Sequence, residues 1–379
     1  MSTIGAVIVV ILLVIVGVGA YFVGSTTATS GTKTTTVVST STLASGQVVT
    51  TTMTTTVVSS QAAAPHKTLK IAGIFSVPST AGWASQNSAS FVQAAKFFNA
   101  SGYSVHVALV FDVAPASSAA VFQQYASSGY SIIFASDVSF ESIVVPTIAQ
   151  QYPNVVFYGA NWFPPFMNNT ANLDEMPYQT FYAEGIIAGS MTKSNIVGFE
   201  TAFAFPTTLS TYNAFLLGAR SVNPSVKGAF VLTNSWVDPV AAAAGLSALQ
   251  SAGADVVVDH GVDPFAPIAA QKDVMTFGFT VNQTVNQYVL TNNMENSTLA
   301  QIDVISHYLN GNFGGQNYPV DAVNGGFYLS PCSSLVPAAV CQKAITAVQN
   351  MKAGILNVPF IGTMPSGSVN ATTTSTGTS

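Results

Sequence analysis

The feature that most constrains this chain is a doubled series of short apolar runs set at helix-length intervals. LKIAGIF, SVHVALVF, YSIIFAS and NVVFYGA lie in order between residues 69 and 160, and NIVGFE, VKGAFVL, ADVVVD and DVMTFGF follow between 195 and 279. Such runs have the character of strands covered on both faces, the habit of parallel sheets. The intervals, such as residues 88–99 and 116–127, suit crossover helices. Punctuation agrees. Asp238-Pro239 offers an N-cap and a first helical residue ahead of AAAAGLSALQSA, and Gly253 ends that helix. Asp263-Pro264 repeats the start signal, and Gly311 stops a helix carrying Leu299, Ile302, Ile305 and Leu309. Two consecutive βα series predict an α/β chain of two doubly wound parallel-sheet lobes, with a ligand at the carboxyl ends of the strands, between the lobes.

The flanks have another texture. Residues 4–24, IGAVIVVILLVIVGVGAYFVG, run 21 positions without a charge, enough for a helix to span a bilayer. This predicts one transmembrane helix in residues 1–24, kept as an anchor or removed as a signal. The lack of a basic residue before it argues for the anchor. Residues 25–65 are mostly Ser and Thr, with Lys33 as the only charge, and predict an extended linker without a core. Residues 364–379 have the same composition and predict a disordered tail. The lobes then occupy residues 66–363: lobe 1 about 66–163 with part of 290–325, lobe 2 about 164–289 with the C-terminal part.

Charged residues make up 7% of the chain, against about 25% in an ordinary soluble protein. With 49% hydrophobic residues and a mean hydropathy of +0.43, the deficit is not disorder. Ten Lys+Arg against fifteen Asp+Glu leave no basic surface for nucleic acid. Sequons stand at Asn99, Asn168, Asn282, Asn296 and Asn370. Cys332 and Cys341 are close enough to close a small loop, the alternative being two buried thiols. Together these place the binding domain outside the cell on a single-pass anchor in the cell membrane. Paired carboxylates lose their stabilising effect in acid, whereas neutral amides and hydroxyls do not. The composition therefore predicts a protein that works in acid, its ligand affinity nearly constant between about pH 3 and 7.

YAEGIIAGSMTKSNIVGFE, residues 182–200, resembles a signature of the basic membrane protein family, substrate-binding proteins of ABC importers of which several bind purine nucleosides. FLLGARSVNPSVKG, NSWVDPVAAAAGLSALQSAGADVVV, FGFTVNQ, YVLTNNMEN, NGGFYLSP and AVQNMKAGILNVP resemble its other elements, in the family's order, so that the likeness spans essentially 68–361. It implies the type 1 periplasmic-binding-protein fold, two lobes joined by three crossings with a small-molecule solute in the cleft. An ABC permease is the implied partner, with no cofactor and no catalysis. The family's first loop carries an aromatic that stacks on the ligand base. Trp83, in TAGWASQNSA, falls on it, and Trp236 falls on the aromatic of the second lobe. Two flat faces would clamp a planar neutral solute. There are departures. Thr80 stands where the family has Asp, and Ala84 where it has Asn, with Gln86 or Asn87 as substitutes. Thr280 and Asn282 replace acids that grip a ribose, and Glu295 replaces a Lys. Asp238 is kept, beside its N-cap reading. Gly261, in DHGVD, falls in the glycine-rich ligand loop. Asn161, with Trp162 and Phe163, and also Phe140, are cleft candidates against the alternatives of a surface corner and a core phenylalanine. Residues 161–163 are where the first lobe is expected to pass to the second.

Other chemistries find little support. Ser190–Lys193 fits S-x-x-K without its companion motifs, and neither a P-loop nor G-x-S-x-G occurs. Asp259, His260 and Asp263 could begin a metal site, but none of the other histidines has ligand spacing to them. The chain is therefore expected to be neither enzyme nor metalloprotein. The competing reading is a glycosylated surface scaffold, coat or filament component that reuses the lobes without transport.

Overall fold

The computed structural model describes residues 11–14, 20–29, 32–42, 48–57 and 68–371. Near the N-terminus, β1 (Ile11–Val14), β2 (Ala20–Thr29), β3 (Thr32–Thr42) and β4 (Val48–Val57) pair antiparallel in that order. Two expectations are corrected here. Where the apolar run is described it is strand rather than helix, with Ile11 opposite Gly24; residues 4–10 and 15–19 lie outside the described residues. The Ser/Thr-rich stretch is likewise paired strand over much of its length. The physical reason is shared: Val, Ile and Thr are β-branched and favour extended backbone whether the stretch is apolar or polar. Among the described residues no helix is long and apolar enough to cross a membrane.

The apolar runs of the first series fold as expected. The elements are β5 (Thr68–Ile74), α1 (Gly82–Ala100), β6 (Ser104–Val110), α2 (Pro115–Ser127), β7 (Ile132–Ala135), α3 (Glu141–Ile143), α4 (Ala149–Gln151), β8 (Val156–Ala160) and β9 (Thr170–Glu175). The second series gives α5 (Tyr178–Met191), β10 (Ile196–Thr201), α6 (Pro206–Val222), β11 (Lys227–Leu232), α7 (Pro239–Ser251), β12 (Val256–His260), α8 (Phe265–Gln271), β13 (Thr276–Thr280) and β14 (Val289–Glu295). The chain closes with α9 (Thr298–Leu309), β15 (Asn317–Val320), β16 (Phe327–Leu329), α10 (Ala338–Lys352) and β17 (Val369–Asn370). Lobe 1 has the sheet order β6-β5-β7-β8-β9-β15. Lobe 2 has β17-β11-β10-β12, joined through a parallel bridge between Val256 and Met275 to β13-β14-β16. Each lobe thus repeats the doubly wound order 2-1-3-4-5.

Each sheet has its own apolar core. Phe122, Ile133, Phe140, Phe157 and Trp162 are buried in lobe 1, and Val231, Leu246, Leu249, Val257 and Phe265 in lobe 2. Helices α5 and α6 approach closely because glycines face backbone: a Cβ on Gly218 would lie 1.9 Å from the Tyr182 carbonyl oxygen. The chain crosses between lobes three times, after Glu175, after Glu295 and between β15 and β16. The first crossing comes later than residues 161–163. β9 still belongs to lobe 1, pairing Phe157 with Thr170, and Trp162 is buried in that lobe's core.

Several local signals hold. Asp238 Oδ1 accepts from the N–H of Val240 (2.8 Å) and Ala241 (3.1 Å), capping α7. Gly253 and Gly311 take left-handed backbone just past the ends of α7 and α9. Cys332 and Cys341 form a disulfide. Asp263 does not cap α8. Its Oδ2 accepts instead from the Gly82 N–H of lobe 1 at 2.8 Å. The tail also departs from expectation: Val369 pairs with Ala229, and the Ala371 N–H donates to the Phe230 carbonyl, giving the exposed edge of β11 a partner.

Candidate functional site

Both sheets aim the carboxyl ends of their strands at one cavity. Lobe 1 contributes Ser76 after β5, Asp137 after β7, Asn161 after β8 and Glu175 at the end of β9, with Trp83 from the first turn of α1. Lobe 2 contributes Trp236 from the loop after β11, Asp259, His260 and Gly261 from the end of β12, and Thr280 from the end of β13. Asn161 and Thr280 end the fourth strand of their respective lobes, and both hold left-handed backbone, with φ of 59° and 60°. For a β-branched threonine that conformation is strained, which marks the place as one the fold holds deliberately.

The indoles are fixed by neighbours. The Trp83 ring packs edge-on to Phe75, with centroids 6.2 Å apart, and its Nε1–H donates to both Glu175 oxygens at 3.1 and 3.2 Å. Trp236 packs edge-on to Phe203 at 5.5 Å and lies over Gly261, where a Cβ would come within 3.2 Å of the ring. Gly261 has φ of +78°, so both the turn and the ring contact call for glycine.

The electrostatics differ from the uncharged site that composition suggested. Asp137, Glu175, Asp259 and Asp263 all line the cavity, and no Lys or Arg does. Burial pushes the Glu175 carboxyl up to about 7, against the pull of N–H donors from Trp83, Asn161 and Asn87. Burial and the neighbouring Asp263 push Asp259 well above the usual range. Burial raises Asp263 too, opposed by its bond from Gly82. Burial drives His260 down to about 3, so its imidazole is neutral; its Nδ1 lies 2.9 Å from Thr211 Oγ1. The arrangement therefore offers aromatic faces, carboxyl acceptors and neutral amides and hydroxyls, with nothing to balance an anion. Among the described residues no cluster of three or more His, Cys, Asp or Glu is placed to hold a metal ion.

Residues 82–359 match the family model described as ABC transporter substrate-binding protein PnrA-like. The chain belongs to this family. A purine-binding protein of Brucella abortus is 27% identical over 307 residues, covering 79% of this chain and 85% of its own. An ABC transporter glucose-binding protein of Haloferax volcanii is 33% identical over 168 residues, a stretch that is 44% of this chain and 42% of that protein's length. Among solved structures, an ABC transporter solute-binding protein from Conexibacter woesei superposes with a TM-score of 0.59 at 19% identity, covering 77% of this chain and 99% of its own, a likeness of fold. PnrA-like proteins are solute receptors rather than enzymes.

Within that family frame the expected residues divide. Trp83, Asn161, Trp236, Gly261 and Thr280 line the cavity. Asn87 is buried behind it, donating to Glu295 at 2.8 Å. Thr80 and Asn282 are exposed and outside the lining, and Asn282 Oδ1 accepts from the Thr284 N–H within its own turn. Phe140 is a core side chain, edge-on to Phe122. Asp238 also lies outside the lining, occupied as the cap of α7. Ser190 Oγ donates to the Ile186 carbonyl of its own helix, and Thr192 to Ser194 wrap Asp255, which accounts for the S-x-x-K segment structurally. The residues that sequence reasoning missed are Asp137 and Glu175. The sequence offers Asp259 as a metal ligand and Asp263 as a metal ligand or a helix start, neither as a cavity acid. One signal was available for two of the four: Asp137 and Asp259 stand at the carboxyl ends of the apolar runs YSIIFAS and ADVVVD.

Proposed function

We propose that this chain is the extracellular, membrane-tethered receptor of an ABC importer, and that it captures a flat, non-anionic solute rich in hydroxyl or amine donors, a nucleoside first of all. The observation that carries the reading is the shared cavity. An indole from each lobe lines it together with four carboxyl groups and no cation. Carboxyl oxygens accept hydrogen bonds from sugar hydroxyls and ring amines, and aromatic faces stack on planar rings. A phosphate or carboxylate would find no cation there to balance its charge. The purine-binding and glucose-binding relatives fit such donors. The placement outside the cell rests on the disulfide and the sequons, and the tether on the apolar, charge-free composition of residues 4–24 rather than on a spanning helix. Of the sequons, Asn99, Asn168 and Asn282 are exposed and are the proposed glycan sites, whereas Asn296 is half-buried.

Titration calorimetry of the full chain against adenosine, adenine, glucose and adenosine monophosphate tests this. Adenosine is expected to bind and the monophosphate not. Trp83→Ala should weaken adenosine about tenfold to a hundredfold, the worth of one base–aromatic stack. Absence of binding to every neutral probe overturns the receptor reading in favour of the non-transporting scaffold.

A further inference from the structure

The fifth strand of each lobe, β9 and β14, ends on a glutamate, and the chain passes to the other lobe directly after each. Across these crossings the two side chains meet on one amide: Asn87 Nδ2 lies 3.4 Å from Glu175 Oε1 and 2.8 Å from Glu295 Oε1, and the two carboxyl groups are 8% and 1% exposed. Two carboxyl groups buried this close together cannot both ionise, so the pair holds at least one proton. The surrounding donors decide which one carries it. Glu175 Oε1 accepts from Trp83 Nε1 at 3.1 Å and Asn87 Nδ2 at 3.4 Å, and Oε2 accepts from Asn161 Nδ2 at 3.1 Å. Glu295 Oε1 accepts from Asn87 Nδ2 at 2.8 Å, while its Oε2 is buried without a partner. The donors favour charge on Glu175, so the proton belongs on Glu295, whose Oε2 has no N–H for it to displace.

No cation stands in for that proton. The groups facing the pair are Trp83 and Asn87 of α1 and Asn161 after β8, with Ser297 ahead of α9 bonded to Asn87. None is an acid or base in the ordinary range. The titratable groups on the surrounding elements include Asp137, Asp259, His260 and Asp263 around the cavity, Glu184 on α5, Asp174 on β9, which responds to Asp321, and Asp303 and His307 on α9, the helix packed on α1.

We propose that Glu175 and Glu295 share one proton and act through it as positioning residues, fixing the Trp83 indole at the cleft where the two lobes join. The receptor reading supplies only the purpose of that indole; the proton and its partners stand without a solute.

The test therefore uses the full chain with no ligand. With three tryptophans in the sequence, the indole N–H resonance of Trp83 can be assigned by its loss in Trp83→Phe, and the resonance of Trp162, deep in lobe 1, serves as the control for folding. In the wild type the Trp83 resonance should move with a midpoint near 7, as Glu175 gains its charge, while Trp162 stays still. Glu295→Gln supplies a permanent amide donor and should leave that midpoint in place. Glu295→Leu removes the donor and should raise it by about one to two pH units, the size of a hydrogen bond to a charged group. A wild-type resonance that does not titrate overturns the proposal. So does a midpoint that falls in Glu295→Gln, because Glu295 would then have carried a charge of its own. If the leucine variant does not fold, the glutamine variant and the wild type decide between them.

Discussion

Two groups of buried carboxyls occupy this protein, and they differ in their donors. At the junction of the lobes, Glu175 receives N–H groups from Trp83, Asn87 and Asn161. Inside lobe 2, neither oxygen of Glu200 has a hydrogen-bond partner, Glu184 has only the Asn293 amide, and Asp259 has only backbone N–H groups of its own turn, that of Val262 at 3.0 Å among them. The consequence follows from elementary electrostatics. Burial and the nearby Asp259 push Glu200 up to about 10 and Glu184 well above the usual range, whereas donors hold Glu175 to about 7. Burial alone makes a carboxyl a neutral space-filler at any ordinary pH. Burial with donors makes one that titrates near neutrality, and only that kind can answer to the cleft beside it.

The largest expected effect tests the lobe 2 group. A carboxyl raised on folding keeps its proton where the unfolded chain has already released it. Its contribution is therefore complete below the unfolded value, about 4.3, and is lost as pH rises towards the folded value. The protein should be most stable in acid, each such group removing about 1.4 kcal/mol per pH unit across its window. Glu200→Gln abolishes one share. It should leave urea stability at pH 4 unchanged and raise it at pH 8 by on the order of 2–4 kcal/mol. Equal destabilisation at both pH values would show that Glu200 is ionised and paired, and the contrast between the two groups would collapse.

A smaller effect is expected on converting the hinge group towards the lobe 2 kind. Trp83→Phe keeps an aromatic face on the cleft but removes the N–H that Glu175 accepts at 3.1 and 3.2 Å. Adenosine affinity measured by calorimetry at pH 5 should fall by less than tenfold, since a ring remains to stack. Across pH 6 to 9 the variant's affinity profile should shift to higher pH than that of the wild type, because Glu175 has lost a donor to its charged form. Profiles that coincide would mean that the indole N–H contributes nothing to the carboxyl's charge.

Much of the fold was legible because its strands are buried on both faces. LKIAGIF and ADVVVD leave little else to fold into, and Asp238, Gly253 and Gly311 mark ends by local backbone chemistry alone. The Ser/Thr stretch misled because its polarity argued against a core, while its β-branched residues favoured pairing all the same. β9 was hidden because TANLDE has no apolar run to announce it. The hinge pair was hidden more deeply, since Glu175 and Glu295 are far apart in sequence and meet only because the same strand order is built twice. Trp83 was legible as a cleft residue from the family resemblance of its loop, but its tie to Glu175 depended on that second, non-local fact. Asp137 and Glu175 were missed, and Asp259 and Asp263 given other roles, because a low total charge says nothing about where the few charges gather.

The smallest effect belongs to a third kind of carboxyl, at the half-buried start of a helix. Asp238 accepts from two backbone N–H groups at the head of α7 and lies outside the cavity lining. The resemblance had placed it at the solute, and the Asp-Pro punctuation had placed it at a helix start. The structure shows the second arrangement, and the two readings predict different losses. As a cap, Asp238→Ala should lower stability by about 1 kcal/mol in urea unfolding, the ordinary worth of an aspartate at that position. Adenosine affinity should then remain within about twofold of the wild type, because RT ln 2 is only about 0.4 kcal/mol and no cavity contact is removed. Were affinity instead to fall tenfold or more with stability unchanged, Asp238 would have to reach the solute when it binds, and the cleft would be larger than the residues that now line it.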